Sequence, residues 1–209
     1  MNSIVSLLAS SLGKRNEQPN ITLAEDIVRN NNPGAIDELM GLLKGKVKVL
    51  RHDAIKVLYE IGERRPELIA EYLRDFIVLL SDKDNRIQWG AMAALDAVTG
   101  YDPDSVFDNL EAITAASDNG SVITRDHAMA ILIKLYGQKK YSAVVFPLFL
   151  EQLLVCPPNQ LPMYAENMAF CINISDKERF IAVLAERANA PVKESKRKRM
   201  ENVIRKLSK

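Results

Sequence analysis

One pattern of apolar and small residues recurs along this chain at a constant spacing of 37 residues. Its four copies are Leu50-Arg51-x-x-Ala54-x-x-x-Leu58, Ile87-Gln88-x-x-Ala91-x-x-x-Leu95, Thr124-Arg125-x-x-Ala128-x-x-x-Leu132 and the weaker Leu161-Pro162-x-x-Ala165-x-x-x-Ala169. Periods of roughly 20–50 residues are typical of solenoids, in which each unit buries its apolar face only against its neighbours. The repeat therefore predicts a stack of similar units.

Each copy contains two stretches with helical periodicity. The first stretch carries Ile36, Leu39 and Leu43, and the second carries Ala54, Leu58 and Ile61. Such spacings place apolar residues on one face of a helix, and the small Ala lets paired helices approach closely. The alternation that marks strands is missing. We therefore predict an all-α fold, an α-α superhelix (solenoid) of helix pairs with about ten helices.

Turn and capping signals divide the chain. Asn32-Pro33 and Asp102-Pro103 each combine an N-cap residue with Pro at the first helical position. We predict a single solenoid domain over residues 1–209, with N-terminal cap helices in 1–31, four repeats in 32–174 and a divergent C-terminal helix pair in 175–209. The cap helices are predicted at 3–13 and 22–31, and the repeat helix pairs at 33–63, 66–99, 103–137 and 142–174.

The charge balance argues against a general attraction to nucleic acid or membranes. The chain holds 28 basic and 27 acidic residues. Positive charge is concentrated in residues 193–209, with eight Lys or Arg and two Glu, whereas the preceding residues have a net charge of −5. The N-terminal sequence lacks a signal peptide's basic segment, and no apolar run approaches a membrane span in length. We therefore expect a cytoplasmic protein.

These residues resemble the HEAT-repeat family. A typical HEAT unit has a Pro near the start of its first helix, an Asp in the turn and Val-Arg-x-x-Ala opening its second helix. Here the prolines are Pro33, Pro66 and Pro103, the arginines are Arg51 and Arg125 with Gln88 between them, and the turn Asp is clear at Asp84. The resemblance implies a fold of HEAT-like helix pairs, close to armadillo-like helical proteins. The family's Asp–Arg ladder between units is expected to be incomplete.

The resemblance also implies a range of functions. HEAT-repeat proteins are mostly scaffolds and adaptors, such as importins, adaptins and a phosphatase scaffold subunit. Exceptions are a group of bacterial DNA alkylpurine glycosylases and the phycobilin lyases. We therefore predict a non-enzymatic protein-interaction scaffold that binds a peptide or protein on its concave helical face. A DNA-binding or alkylpurine-glycosylase-like enzyme is the alternative, and a pigment-lyase-like role is a more distant one.

The second helices of such a stack line its concave face. Alignment of the repeats shows which of their positions avoid the core, and Trp89, the only Trp of the chain, is one of them. Exposed aromatic residues on such a face are typical of binding sites. The sequence is equally consistent with the alternative that Trp89 packs between neighbouring helices. The predicted partner-binding residues are His52, Lys56, Trp89, Asp126, Met163 and Tyr164.

Residue types suited to catalysis or metal binding are present, but their spacing is wrong. His52-Asp53 and Asp126-His127 are sequence neighbours on helices, and neighbours on a helix do not face each other. His52 and Asp126 occupy equivalent positions two repeats apart, on the order of 20 Å in a helical stack. The two histidines lack the spacing of a helical zinc pair, and Cys156 and Cys171 have no metal-ligand spacing. We therefore predict no catalytic residues, no metal and no cofactor.

A basic segment near the C-terminus is a second candidate site. Its cations are Lys193, Lys196, Arg197, Lys198 and Arg199, and Met200, Val203, Ile204 and Leu207 form an apolar stripe on the same predicted helix. The functional interpretation is a patch for nucleic acid, an acidic protein or anionic lipid, and the favoured alternative is a solvated capping helix. Weak, non-specific nucleic-acid binding through this helix is therefore the most that we expect.

Overall fold

The computed structural model describes residues 3–188 and 193–208. About 78% of these described residues are helical, and none of them lies in a strand. The α-helices are α1 (Gln18–Asn30), α2 (Pro33–Leu43), α3 (Lys48–Arg64), α4 (Leu73–Leu79), α5 (Asn85–Val98), α6 (Pro103–Phe107), α7 (Leu110–Asn119), α8 (Val122–Tyr136), α9 (Lys139–Val155), α10 (Leu161–Ala169), α11 (Lys177–Ala188) and α12 (Glu194–Leu207). The described part of the chain thus holds twelve α-helices, where the sequence predicted about ten.

The helices group into two compact units, residues 1–128 and residues 129–209, and the boundary falls within α8. Each unit has its own buried apolar residues. That the whole chain acts as a single solenoid domain, with 1–31, 32–174 and 175–209 as its parts, stays a prediction. Residues 1–2, 189–192 and 209 of the predicted N-terminal cap and C-terminal pair lie outside the described residues.

The N-terminal cap differs from its prediction. Residues 3–13 form a short 3-10 helix (Ile4–Leu7) followed by turns, and α1 begins at Gln18 rather than at residue 22. Gly13 has φ of +65°, a left-handed conformation that interrupts a helix and suits a glycine. Pro19 lies in the first turn of α1, where its missing N–H costs no hydrogen bond. The non-helical segment between the 3-10 helix and α1 therefore covers residues 8–17.

A buried polar contact fastens this cap to the first repeat. Asn20 is fully buried, and its side chain accepts from the Ala9 backbone N–H and donates to Asp53 of α3 at 2.7 Å. The other Asp53 oxygen accepts from the Ser10 backbone N–H at 2.8 Å. Each of these buried polar groups is thus paired, which keeps the cost of their burial low.

The helix pairs of the first unit follow the predicted division. Asn32 caps α2 by accepting from Ala35 N–H, and Asp102 caps α6 by accepting from Ser105 N–H. In the second pair, two short 3-10 helices (Pro66–Leu68 and Ala70–Tyr72) precede α4. In the third pair, the predicted first helix is split into α6 and α7. The split into α6 and α7 adds one α-helix to the number.

The repeated small and apolar residues form the core. Ala54, Ala91 and Ala128 have relative exposures of 0%, 0% and 1%, and Leu58, Leu95 and Leu132 are equally buried. The prediction that these positions are structurally equivalent agrees with their burial and with their places in α3, α5 and α8. Helices α3 and α5 also approach closely at Gly90, where an added Cβ would lie 2.5 Å from Ile55 Cγ1.

A hydrogen bond recurs with the same period. Arg51 donates from Nε to the Leu43 carbonyl at 2.9 Å, Gln88 from Nε2 to the Leu80 carbonyl at 2.9 Å, and Arg125 from a terminal nitrogen to the Ser117 carbonyl at 3.2 Å. Each bond satisfies a carbonyl near the end of a first helix, where no intrahelical donor remains. Arg51 also pairs with Asp82 of the following repeat. Gln88 makes the bond within its repeat but has no charge for such a pair.

The second unit contains α9 to α12. Phe149 of α9 and Phe180 of α11 are fully buried, with ring centroids 6.2 Å apart. Arg187 of α11 donates to the Leu154 and Cys156 carbonyls, both at 2.6 Å, at the end of α9. Met200 and Val203 of α12 are buried, as the predicted apolar stripe requires. The C-terminal pair is therefore packed through apolar contacts as well as backbone caps.

Candidate protein-interaction face

The structure places four of the six predicted partner-binding residues in the first unit. His52 and Lys56 lie on α3, Trp89 lies on α5, and Asp126 lies near the start of α8. Met163 and Tyr164 lie on α10, in the second unit. The six residues are therefore divided between the two units.

Trp89 packs against a residue that the sequence alignment did not select. Its ring centroid lies 5.6 Å from that of Tyr59 on α3, with the ring planes tilted by 49°. Tyr59 is buried, with 7% exposure, whereas Trp89 is half-buried. Offset and tilted aromatic pairs of this kind contribute about 0.5–1.5 kcal/mol beyond simple burial. Trp89 thus combines a packing contact between helices with a surface that remains open to solvent.

Charged side chains surround this aromatic pair. Lys56 Nζ lies 4.6 Å from the Tyr59 ring centroid, 2.5 Å from Glu60 Oε1 and 3.3 Å from Glu17 Oε2. Arg86 of α5 pairs with the other oxygen of Glu17, which immediately precedes α1. We call Lys56, Tyr59, Glu60, Arg86 and Trp89 the Trp89 face. It joins aromatic surface to a set of paired charges.

These contacts stabilise the charged forms of Lys56 and Glu60. Burial opposes the Lys56 charge, but hydrogen bonds with Glu60 and Tyr59 outweigh it and raise the lysine pKa. Burial would likewise raise the Glu60 pKa, but hydrogen bonds from Lys56 and Arg64 lower it. The Lys56 side chain is only 9% exposed. Its predicted position on the surface of α3 is therefore correct only in part, because most of the side chain is covered by its neighbours.

His52 is engaged in a structural contact. Its Nε2 lies 2.8 Å from Asp84 Oδ2, and Lys48 Nζ lies 3.3 Å from the same oxygen. Asp84 also caps α5 by accepting from Arg86 N–H at 3.0 Å. Burial alone would raise the Asp84 pKa, but the bonds from His52, Arg86 and Lys48 outweigh it and lower the pKa to about 2. His52 therefore ties α3 to the start of α5.

The second histidine makes a comparable pair. His127 Nδ1 lies 2.9 Å from Asp96 Oδ2 of α5. Both histidines thus pair with an aspartate about thirty residues earlier or later, rather than with the adjacent Asp53 or Asp126. Asp126 is half-buried. The sequence offered a signal for the Asp84 pair, since Asp84 is the turn aspartate of its repeat, but offered none for Asp96.

The second unit corrects one exposure prediction. Tyr164 has an exposure of 1%, so the expectation that its side chain faces solvent is wrong. Its neighbour Met163 is 37% exposed, as predicted. Consecutive residues on a helix point about 100° apart, and the apolar face of α10 extends far enough around the helix to include Tyr164 but not Met163.

The basic segment is partly occupied by contacts within its own unit. Arg199 forms a two-bond pair with Glu166 of α10, at 2.7 and 2.5 Å, and Lys196 donates to the Asn159 carbonyl at 3.2 Å. The hydrogen bond from Arg199 is the main cause of the lowered Glu166 pKa. Arg197 and Lys198 lie 4.0 and 3.7 Å from Glu194, and Lys193 is exposed at the start of α12. Arg199 therefore helps to hold α12 against α10.

Groups that hold metals or attack substrates are not assembled in the described regions. Among these residues, no three His, Cys, Asp or Glu side chains converge as a metal site. Cys156 is buried, and burial raises the pKa of the half-buried Cys171 thiol, which disfavours its reactive thiolate form. Across residues 3–188 and 193–208, every helix is too short or too polar to cross a membrane.

Comparison with known proteins identifies the fold but no close relative. No protein-family model and no curated protein matches the sequence. Solved structures do match: a designed armadillo repeat protein in complex with a (KR)4 peptide has a TM-score of 0.67 at 13% identity, over 99% of this chain and 90% of that one. Another designed armadillo repeat protein has a TM-score of 0.65 at 15% identity, over 91% and 92% of the two chains.

The structure of an engineered protein is similar to this chain over nearly its full length, with a TM-score of 0.65 at 18% identity and 99% coverage of both chains. Identities this low establish the fold and leave function open. The predicted all-α fold class, an α-α superhelix of helix pairs, is confirmed. The chain is a helical-repeat protein with the HEAT/armadillo-like fold.

Proposed function

We propose that this chain is a non-enzymatic scaffold that binds a peptide or protein segment on the Trp89 face. The observation that carries the proposal is the half-buried Trp89, supported from below by buried Tyr59 and bordered by Lys56 and Arg86. Large aromatic residues with a rigid support and a polar rim are typical of residues that dominate binding energy. Helical repeats present such residues on preformed surfaces.

The structural neighbours support the same class of function. One of the designed armadillo repeat proteins was solved with a bound peptide, which shows that this fold can present a peptide-binding surface. At 13% identity the likeness does not transfer the peptide's sequence to this chain. A cytoplasmic location is part of the proposal, and so are interface roles for His52, Asp126 and Met163.

The first test measures the contribution of Trp89 to peptide affinity. Peptides selected from a random-sequence display library against the wild-type protein would be titrated against the wild type and Trp89→Ala. Loss of a central aromatic residue is expected to weaken binding by about 2 kcal/mol, or roughly 30-fold. Tyr101→Ala is the matched control, because Tyr101 is a 58% exposed aromatic residue outside the Trp89 face.

Thermal unfolding of each variant separates binding from stability. Trp89→Ala also loses its contact with Tyr59, so a modest fall in the unfolding temperature is expected. If selected peptides bind Trp89→Ala and wild type equally well, the Trp89 face is not the binding site. If Trp89→Ala does not fold, the fluorescence of the sole Trp in the wild-type protein, with and without peptide, decides the same question.

The glycosylase-like alternative finds less support in this geometry. It requires Trp89, Asp126 and nearby cations to form an electropositive site for a DNA backbone. The nearest cations on the Trp89 face, Lys56 and Arg86, are each paired with a carboxylate of the chain. The scaffold function is therefore preferred to the glycosylase-like alternative.

A further inference from the structure

We infer that the Trp89 face contains a binding site for an acidic side chain of the partner, and that Glu17 of the chain itself occupies this site in the structure. The inference rests on the proposed peptide-binding function and specifies the partner's chemistry. Each Glu17 carboxylate oxygen meets a different cation: one pairs with Arg86 of α5, and the other lies 3.3 Å from Lys56 Nζ of α3. The two cations belong to the face, whereas Glu17 comes from outside it.

The two cations sit beside the aromatic pair. Lys56 Nζ lies over the Tyr59 ring, and Arg86 lies one helical turn before Trp89 on α5. The Lys56 and Arg86 side chains are 9% and 33% exposed, so both are held in place by their surroundings. A carboxylate that reaches this position meets two fixed donors with little further loss of side-chain entropy. An aromatic or aliphatic neighbour in the same peptide would contact Trp89.

Glu17 can leave this position without disturbing the fold. Its side chain is 42% exposed and makes no capping hydrogen bond at the start of α1. The Glu17 backbone carbonyl accepts from Ile21 N–H, and α1 is fastened to α3 through buried Asn20 and Asp53. Ion pairs made by a side chain as exposed as that of Glu17 contribute little to stability. A partner carboxylate can therefore replace that of Glu17 at little cost.

Charge complementarity selects an acidic partner over a basic one at this position. The acidic group of the face, Glu60, already pairs with Lys56 and with Arg64 at 2.5 Å, and its pKa is lowered accordingly. A basic side chain would have to compete with both of these cations. The net charge of −5 on residues 1–192 opposes an acidic partner at long range, but salt screens that repulsion beyond about 8 Å at physiological ionic strength.

The test uses oligo-glutamate, oligo-glutamine and oligo-lysine peptides of equal length, followed through the fluorescence of Trp89, the only Trp in the chain. The wild type is expected to bind oligo-glutamate in preference to the other two. Glu17→Gln removes the competing charge and should tighten oligo-glutamate binding by about threefold or more. Lys56→Met and Arg86→Met should each abolish the preference for oligo-glutamate.

Matched controls separate this site from general charge effects. Glu63→Gln and Lys83→Met remove the same charges at exposed positions outside the Trp89 face, and both should leave the affinities unchanged. Lys56 is the more buried cation, so its variant is checked by thermal unfolding. If Lys56→Met does not fold, Arg86→Met decides the result.

The outcomes distinguish the inference from the proposed function. Preference for oligo-lysine, or an unchanged affinity in Glu17→Gln, would overturn the acidic site while library-selected peptides that need Trp89 still support the scaffold. If neither the selected peptides nor oligo-glutamate alters Trp89 fluorescence, the scaffold proposal and the inference both fail. If Glu63→Gln tightens oligo-glutamate binding as much as Glu17→Gln does, the effect comes from net charge and the inference is overturned.

Discussion

At the scale of single residues, the carboxylate of Asp84 joins three groups at the start of α5. It accepts from the Arg86 backbone N–H, faces the His52 ring and lies 3.3 Å from Lys48. Two of these partners, Lys48 and His52, belong to α3, so one side chain both caps a helix and connects two repeats. Its low pKa is the consequence of these bonds outweighing its burial.

We therefore predict that Asp84→Asn lowers the free energy of unfolding by about 1–2 kcal/mol near neutral pH. The folded-state pKa of Asp84, about 2, lies below the ordinary value of 3.8, so its ionised form is favoured by folding. This stabilisation is complete above about pH 4 and is lost as the pH falls from about 4 towards 2. The difference between wild type and Asp84→Asn, measured by denaturant unfolding across this range, should shrink accordingly.

Asp108→Asn is the control for this measurement, because Asp108 is an exposed aspartate elsewhere in the first unit. Its substitution should leave the free energy of unfolding within about 0.5 kcal/mol of the wild type at each pH. A pH-independent difference between Asp84→Asn and wild type would contradict the assignment of the effect to the ionised carboxylate.

At the scale of helices, the spacing between α3 and α5 depends on a residue without a side chain. Gly90 of α5 faces Ile55 of α3, which is fully buried, and an added Cβ would lie 2.5 Å from Ile55 Cγ1. Since a Cβ cannot occupy that position, either Ile55 or the helix itself would have to move. Gly41 of α2 provides a contrast, because an added Cβ there meets no atom within 4 Å.

We predict opposite effects for the same substitution at these two glycines. Gly41→Ala should raise the free energy of unfolding by about 0.5–1 kcal/mol, because Ala is the better helix former. Gly90→Ala should lower it, because overpacking costs about 1–3 kcal/mol and exceeds the gain in helix propensity. Denaturant unfolding of the two variants measures both effects, and stabilisation by Gly90→Ala would show that Ile55 can move freely.

At the scale of the whole molecule, an excess of positive over negative charge is found at one end of the sequence. Residues 193–209 hold eight of the 28 basic residues, and part of that charge is paired with Glu166 and Glu194. Arg199 and the buried Met200 and Val203 attach α12 to its unit. Altering Lys196, Arg197 and Lys198 removes the Lys196–Asn159 bond but leaves the contacts of Arg199, Met200 and Val203 in place.

We predict that the chain binds duplex DNA weakly and releases no alkylated purines from methylated DNA. Any binding should fall steeply as salt rises, because counterion release supplies its free energy. Reversing the charges of Lys196, Arg197 and Lys198 should abolish it, as measured by affinity across a salt series. Tight binding that survives the reversal would place the DNA site elsewhere. If the wild type releases alkylated bases and Trp89→Ala or Asp126→Asn does not, the glycosylase-like function would be correct and the scaffold proposal wrong.

The sequence by itself determined the helical repeat. Paired helices are predicted by Ala54, Ala91 and Ala128 together with the Leu residues four positions later. Local residue spacing determines both the helical periodicity and the face that packs closely against another helix. The starts of α2 and α6 also follow from local sequence, at Asn32-Pro33 and Asp102-Pro103, and the structure confirms both N-caps. The N-terminal cap was predicted less well because it lies outside the repeat and depends on one left-handed glycine and one buried Asn.

Only the tertiary structure decided what surrounds Trp89. Its partner Tyr59 lies 30 positions earlier, and Glu17 reaches Arg86 across 69 positions, so neither contact follows from the repeat. The predicted exposure of Tyr164 was wrong for a related reason. Alignment of the repeats assigns each position to a helix face, but it does not show how far the buried face extends around a particular helix. Side-chain contacts between non-equivalent positions depend on the packing of whole helices, which a periodic sequence pattern does not encode.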